Sequence, residues 1–306
     1  MAAAALEERR WREPEDEAAA DWAWSWGAGT DGQLGNGGFD DHHLPQPLLL
    51  PTRCRGRVSF VAGGGAHAIA LTSDGEVFTW GRGTHGQLGH GNLDNIPHPK
   101  LVKFLENHTI TCVSAGWNHS GFATDSGQLF MCGDGSFGQL GTGDNLSRNF
   151  PFEVAYFNGR YIEKLAFGMR HSLVLLKAGE LYTLGVYRHQ KCDLPGSGNV
   201  LVQQSNTRAT SSSHDRSSSL SMLETVPFID GEHVVQIASG TEHSALVTDK
   251  GSVFTWGWGE HGQLGLGDTS DHVAPQRVDI GDNGQRMSGS LAVYCGSGFT
   301  VAVKLP

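Results

Sequence analysis

Two alternating runs joined by a tight turn recur along this chain. In "HAIALTSDGEVFTWG", His67 to Gly81, apolar residues alternate with small or polar ones, break at Ser73-Asp74-Gly75, and resume as far as Phe78 and Trp80. A period of two marks strands and the Asp-Gly pair marks the turn between them, so the segment predicts a β-hairpin. "TDSG", "LKAG" and "TDKG" occupy the same turn in later copies. Phe78/Trp80, Phe130/Cys132, Tyr182/Leu184 and Phe254/Trp256 each share one side of their strand, as do Trp24/Trp26, and that side is expected to be core. A lone four-stranded unit cannot cover so many large side chains, so neighbouring copies must stack on it.

The spacing separates a fixed segment from a variable one. His67, His119, His171 and His243 each precede by 14 residues a glycine that ends an apolar run, at Gly81, Gly133, Gly185 and Gly257. From Gly27 and the first three of those glycines forward to the next histidine the count varies: 40, 38, 38 and 58 residues. A fixed hairpin with a variable connection, repeating at 50-odd residues, points to a propeller or solenoid. In the last cycle Phe299 stands where the others carry histidine, and the chain ends before another strand is complete. "DWAWSWG", Asp21 to Gly27, is the strand this cycle lacks. The fold expected is therefore all-β: a β-propeller of four-stranded blades, about five in number, closed by pairing of the N-terminal strand with the C-terminal blade, leaving no open edge.

The glycines after the apolar runs raise a competing reading. Gly81-Arg82-Gly83-Thr84-His85-Gly86 fits the G-x-G-x-x-G pattern of a dinucleotide loop. That pattern occurs four times, also from Gly27, Gly133 and Gly257, each running into "QLG". A dinucleotide fold uses the loop once, at the start of a helix, whereas "QLGHGNLDNIPHP" is too rich in Gly and Pro to be one. The glycines are turn residues.

Composition narrows the class further. The chain has 306 residues, 43 of them glycine, and a formal charge of −10. Seven acids against three arginines crowd the first 21 residues, which read as a disordered acidic leader without the apolar core of a signal peptide. No stretch approaches the ~20 apolar residues of a membrane helix, and the acidic balance argues against direct nucleic-acid binding. Five dispersed cysteines, with no CxxC, suggest neither a zinc ribbon nor a disulfide framework and fit a cytoplasmic or nuclear setting. Residues 22–306 read as a single propeller domain. It is interrupted at about 190–222 by a Ser-rich insertion, "SNTRATSSSHDRSSSLS" from Ser205 to Ser221, which carries no alternation and is expected to be disordered.

The in-phase recurrence of "VFTWGxGxxGQLGxG" with an upstream "SAGxxHS" hairpin resembles the regulator of chromosome condensation repeat family, from Trp22 to Pro306. The resemblance implies a propeller whose members bind other proteins, a small GTPase among the possible partners, with guanine-nucleotide exchange as one activity and chromatin binding as another. Family propellers typically have seven blades, and five cycles are counted here. The fourth cycle is also degenerate, with "GVYRHQKCDLPGSGN" in place of the glycine loop. Plant ultraviolet-B receptors of the family carry Gly-Trp-Arg-His-Thr sequences that form a coupled tryptophan cluster. Only "GWNHS", Gly116 to Ser120, approaches that here, which disfavours photoreception.

Residues that recur in every cycle are needed to build blades, so function is sought in those that do not. The recurring histidines are expected to be scaffold, hydrogen-bonded to neighbouring backbone, rather than metal ligands. The two positions between the repeated Gly and His vary in every cycle, and with the residue after one blade glycine they supply the candidate protein-binding residues Trp117, Asn118, Met169, Arg170, Glu242 and Trp258. Ser211, Ser217 and Ser219, downstream of Arg208 or Arg216, are candidate phosphorylation sites. No cofactor site is evident, and no spacing holds a nucleophile beside a base. The leading expectation is a non-enzymatic interaction propeller acting as adaptor or regulator.

Overall fold

The computed structural model describes residues 23–48, 56–186, 223–226, 231–281 and 291–305. The leader at 1–21, the insertion at about 190–222 and the candidate serines Ser211, Ser217 and Ser219 lie outside them. At the N-terminal end β1 (Ala23–Gly27) pairs with β2 (His42–Leu48). Four antiparallel four-stranded sheets follow, each ordered as in the sequence. The first holds β3 (Val58–Gly63), β4 (His67–Thr72), β5 (Val77–Gly81) and β6 (Ile96–Leu101). The second holds β7 (Ile110–Ala115), β8 (His119–Thr124), β9 (Leu129–Gly133) and β10 (Arg148–Glu153). The third holds β11 (Ile162–Phe167), β12 (His171–Leu176), β13 (Leu181–Gly185) and β14 (Leu223–Thr225). The fourth holds β15 (Val234–Ser239), β16 (His243–Thr248), β17 (Val253–Gly257) and β18 (His272–Arg277). A final pair, β19 (Leu291–Cys295) with β20 (Thr300–Lys304), ends the fold. Helix is confined to two single 3₁₀ turns among the described residues, Lys103–Leu105 and Ala155–Phe157.

The hairpin read from the sequence is the joint between the second and third strands of every full sheet. His67 faces Gly81, His119 faces Gly133, His171 faces Gly185 and His243 faces Gly257, which is why the 14-residue interval never varies. The two-residue period that ties side chains to faces thereby fixes the register.

The core does not lie on one side of each sheet, as the alternation suggested. It lies between sheets, and both faces of the inner strands are covered. Ile69 and Leu71 of the first sheet meet Val113, Phe122 and Phe130 of the second. Leu129 and Met131 meet Val174, Tyr182 and Leu184 of the third, whose Leu173 and Leu175 meet Leu246 and Trp256 of the fourth. Every residue of β5, β9 and β13 is buried. The polar face survives burial by bonding locally: the Thr79 hydroxyl donates to the Leu88 carbonyl and that of Thr255 to Leu264, at 2.7 and 2.6 Å.

One expectation needs correction at the ends. Trp24 and Trp26 were placed in the core with their equivalents, but both are exposed, Trp26 by 61%. The reason is that β1 and β2 form only half a sheet. No ladder joins β1 to β20 among the described residues, so the pairing of the N-terminal strand with the last blade is not seen.

Candidate functional site

The glycine loops are built from successive turns rather than from a phosphate cradle. In the first full sheet the Gly86 N–H donates to the Gly83 carbonyl and the Gly89 N–H to Gly86, at 2.7 and 3.0 Å, and the loops from Gly29, Gly135 and Gly259 repeat this. The Gln of each "QLG" accepts the N–H two residues before it: Asp31 to Gln33, His85 to Gln87, Phe137 to Gln139, His261 to Gln263. The Leu of the triplet is buried each time. At Gly35, Gly89 and Gly141 the last glycine seats a side chain of the following sheet; a Cβ on Gly35 would come within 2.7 Å of the Trp80 indole nitrogen. Amide groups that a dinucleotide would need are thus consumed inside the loop.

The recurring histidines tie one sheet to the next. His67 Nε2 lies 2.8 Å from the Ser120 hydroxyl, His119 Nε2 2.8 Å from Ser172, and His243 Nε2 3.0 Å from Thr300. Each hydroxyl donates to a loop carbonyl of the preceding sheet, Gln87, Gln139 or Gln263. Since the hydroxyl proton is spent there, the imidazole must be the donor, with its proton on Nε2. His171 Nε2 meets Ser239 and Ser244 at 2.6 and 3.0 Å. The partners at Nε2 are hydroxyls of the neighbouring blade, while His119 and His243 also meet backbone groups, at His171 and Phe299, as expected. Burial holds these imidazoles far below their ordinary pKa of 6.5, to about 3 at His67 and His171 and about 4 at His119 and His243, so they are neutral.

The structure does bring hydroxyls beside imidazoles, across 53 residues of sequence at two joints, a proximity that no local spacing announces. These pairs are not nucleophile and base. They are buried, and the imidazole donates where a general base would have to accept. Among the described residues no three His, Cys, Asp or Glu side chains gather to hold a metal ion.

The variable residues collect on one face. The turn between the first and second strands and the glycine loop after the third open at the same end of each sheet, locked by backbone bonds: Arg82 N–H to Ala66, Asp134 to Asn118, Val186 to Arg170 and Trp258 to Glu242. Successive turns are also chained around the axis, the Gly65 N–H donating to Gly116, Trp117 to Gly168, Met169 to Thr241 and Thr241 to Ser297. They surround a shallow depression of about 280 Å³ that includes Gly65, Trp117, Met169, Thr241 and Ser297. Trp117, 42% exposed, stands at its rim and packs over Gly65. Arg170 lies over the Phe137 ring, 4.6 Å from its centre, with Nε 3.7 Å from Glu242 Oε1. Glu242 is only 6% exposed, so it supports Arg170 more than it faces outward. Asn118 is partly covered, and Trp258 stacks edge-on with His261 at 4.8 Å. Sequence reasoning missed one member of this face: Arg82, which bonds Asp31 through two nitrogens at 3.0 and 2.6 Å and ties the first half-sheet to its neighbour. Its position directly after a blade glycine, like Trp258, was the available signal.

Residues 18–302 match the family model described as the RCC1-like domain. The chain belongs to that family. Human HERC2, an E3 ubiquitin-protein ligase, is 34% identical over 280 residues, which cover 91% of this chain and 5% of HERC2. The ultraviolet-B receptor UVR8 of Arabidopsis thaliana is 32% identical over 270 residues, 87% of this chain and 56% of the receptor. The chain therefore spans only part of both relatives. Among solved structures, Prp20p of Saccharomyces cerevisiae superposes with a TM-score of 0.72 at 23% identity, over 94% of this chain and 65% of that one. Human WBSCR16 gives 0.71 at 24%, over 92% and 67%. These likenesses establish the RCC1-like propeller fold. No helix among the described residues is long and apolar enough to cross a membrane.

Proposed function

We propose that this RCC1-like chain is a protein-docking propeller, an adaptor or regulator whose partner sits on the face bearing Trp117, Met169, Arg170 and Trp258. One observation carries the reading: the turns between the first and second strands line a shallow depression in which the variable Trp117 and Met169 stand beside the repeated Gly116, Gly168 and Gly240, with Trp117 exposed at the rim. Aromatic, Met and Arg side chains on a rigid frame are the groups that anchor protein interfaces. Having one tryptophan among the five equivalent positions, this face offers no coupled set for ultraviolet-B absorption. A second reading, nucleotide exchange on a small GTPase, is favoured by the likeness to Prp20p, whose structure is described together with its binding to Gsp1p and histones. Exchange would need no covalent chemistry, only tighter binding of the nucleotide-free GTPase. Affinity capture with wild type and with the double variant Trp117→Ala/Arg170→Ala, followed by nucleotide release across a panel of small GTPases, tests both. Partners lost at least tenfold in the variant support the face; an unchanged set of partners overturns it. Accelerated release from one GTPase selects exchange.

A further inference from the structure

Charge is not shared evenly between the two ends of the sheets. At the end where the first turns and the glycine loops open, the described residues between strands include ten Asp or Glu side chains, no lysine, and two arginines, Arg82 and Arg170. Both arginines are engaged within this face, Arg82 with Asp31 at 2.6 Å and Arg170 with Glu242 at 3.7 Å. Arg148, at the start of β10, likewise holds Asp144 at 2.6 Å. At the opposite end the described residues between strands carry eight acids against Lys103, Lys177, Lys250, Arg57 and Arg160, which brings that end closer to balance.

Other carboxylates of the first end are held by neutral donors, which fix the group and leave its charge. Asp94 accepts from the Asn92 amide at 2.6 Å, Asp134 from the Ser136 hydroxyl at 2.8 Å and the Gln139 amide at 3.2 Å, and Glu260 from the Trp258 indole at 3.1 Å. Backbone bonds set these loops against the turns that line the axial depression. The Asp134 N–H donates to Asn118, next to Trp117, and the Trp258 N–H to Glu242, next to Thr241, both at 2.9 Å. The depression itself is apolar on its Trp117, Phe167 and Met169 side chains. Trp117 rests on Gly65, where a Cβ would come within 3.0 Å of the indole, and is still 42% exposed. The ring is thus seated by a glycine and offered to solvent.

An apolar seat alone would admit any apolar segment; the charge around it selects among them. An acidic segment meets uncancelled carboxylates, whereas a cation gains from them and from the face of an indole. We propose that the occupant of the axial depression is a Lys- or Arg-rich segment of another protein, with an apolar side chain in the depression and flanking cations against Trp117, Asp134 and Glu260. The proposal rests on the docking face described above and gives the partner its chemistry. Arg82 and Arg170 do not oppose such a segment, because Asp31 and Glu242 already balance them. The same field turns away nucleic-acid phosphates and anionic lipid.

The test is fluorescence anisotropy of the full chain with a labelled peptide, Gly-Lys-Arg-Lys-Leu-Lys-Arg-Lys-Gly, and with a copy carrying Glu at every Lys and Arg. The basic peptide is expected to bind about tenfold or more tighter than the acidic copy, and to weaken about tenfold between about 50 and about 300 mM salt. Asp134→Asn/Glu260→Gln, which keeps the hydrogen-bond acceptors, and Trp117→Ala should each raise Kd about fivefold with the circular-dichroism melting curve unchanged. Asp125→Asn/Asp249→Asn, at the opposite end, should leave Kd as it is. Equal binding of the two peptides, or equal weakening by changes at the two ends, overturns the proposal. If Trp117→Ala/Arg170→Ala loses captured partners that Asp134→Asn/Glu260→Gln retains, the docking face stands and the basic partner is refuted. If the carboxylate variant loses the peptide and Trp117→Ala does not, the depression is refuted as the seat, and the docking reading falls with it.

Discussion

Acidification is the perturbation that the buried histidines make most informative. His67, His119, His171 and His243 stay neutral in the fold, with pKa values of about 3 to 4, while the unfolded chain titrates near the ordinary 6.5. A base whose folded pKa is depressed contributes stability that is fully present above its unfolded pKa. That stability is lost as pH falls, because protons then bind only the unfolded chain. The window runs from about pH 6.5 down to the folded values of about 3 to 4. Protonation of the unfolded chain across its pKa makes moving from pH 7.5 to 5.5 worth about 1.4 kcal/mol per histidine, and about 5 kcal/mol for the four. His90, half-buried and also lowered to about 4, adds less. Against a typical total of ~5–15 kcal/mol such a loss is large. Urea unfolding followed by circular dichroism at pH 7.5, 6.5 and 5.5 measures it, and His119→Gln should remove roughly a quarter of the pH dependence. Stability that stays flat between pH 7.5 and 5.5 would mean that these imidazoles titrate freely, and the tie between sheets as drawn would be refuted.

Two further changes probe the joints. Ser120→Ala leaves the His67 N–H buried without an acceptor and should cost about 1–3 kcal/mol, while the double variant His67→Phe/Ser120→Ala should recover most of that loss in a double-mutant cycle. Gly116→Ala would drive a methyl into the His119 ring and to within 2.7 Å of the Gly168 carbonyl, and should lower stability by roughly 1–3 kcal/mol in the same urea assay, whereas Gly91→Ala, with open space around it, should act only through its φ of +83°.

The chain's own alphabet determined the repeat. A 14-residue hairpin cannot change length when its first residue must face its last glycine, so the architecture was legible from His67, Gly81 and their copies. The glycine loops were legible as turns for the same reason, since a motif occurring four times is needed by every blade. What the sequence could not show is what each blade meets, because contacts between sheets join residues some 50 positions apart and leave no local period. Hence nothing local announced that Thr79 and Thr255 are buried beside loop carbonyls, or that hydroxyls of the next blade meet the histidines at Nε2. Trp24 and Trp26 failed in the opposite direction. Their alternation matches that of Phe78 and Trp80, yet burial depends on a neighbouring sheet and not on the strand that carries them. The candidate face was half legible: variation marked Trp117 and Arg170, but only the packing of Arg170 on Phe137 and Glu242 decided which side chains are offered outward and which support them from beneath.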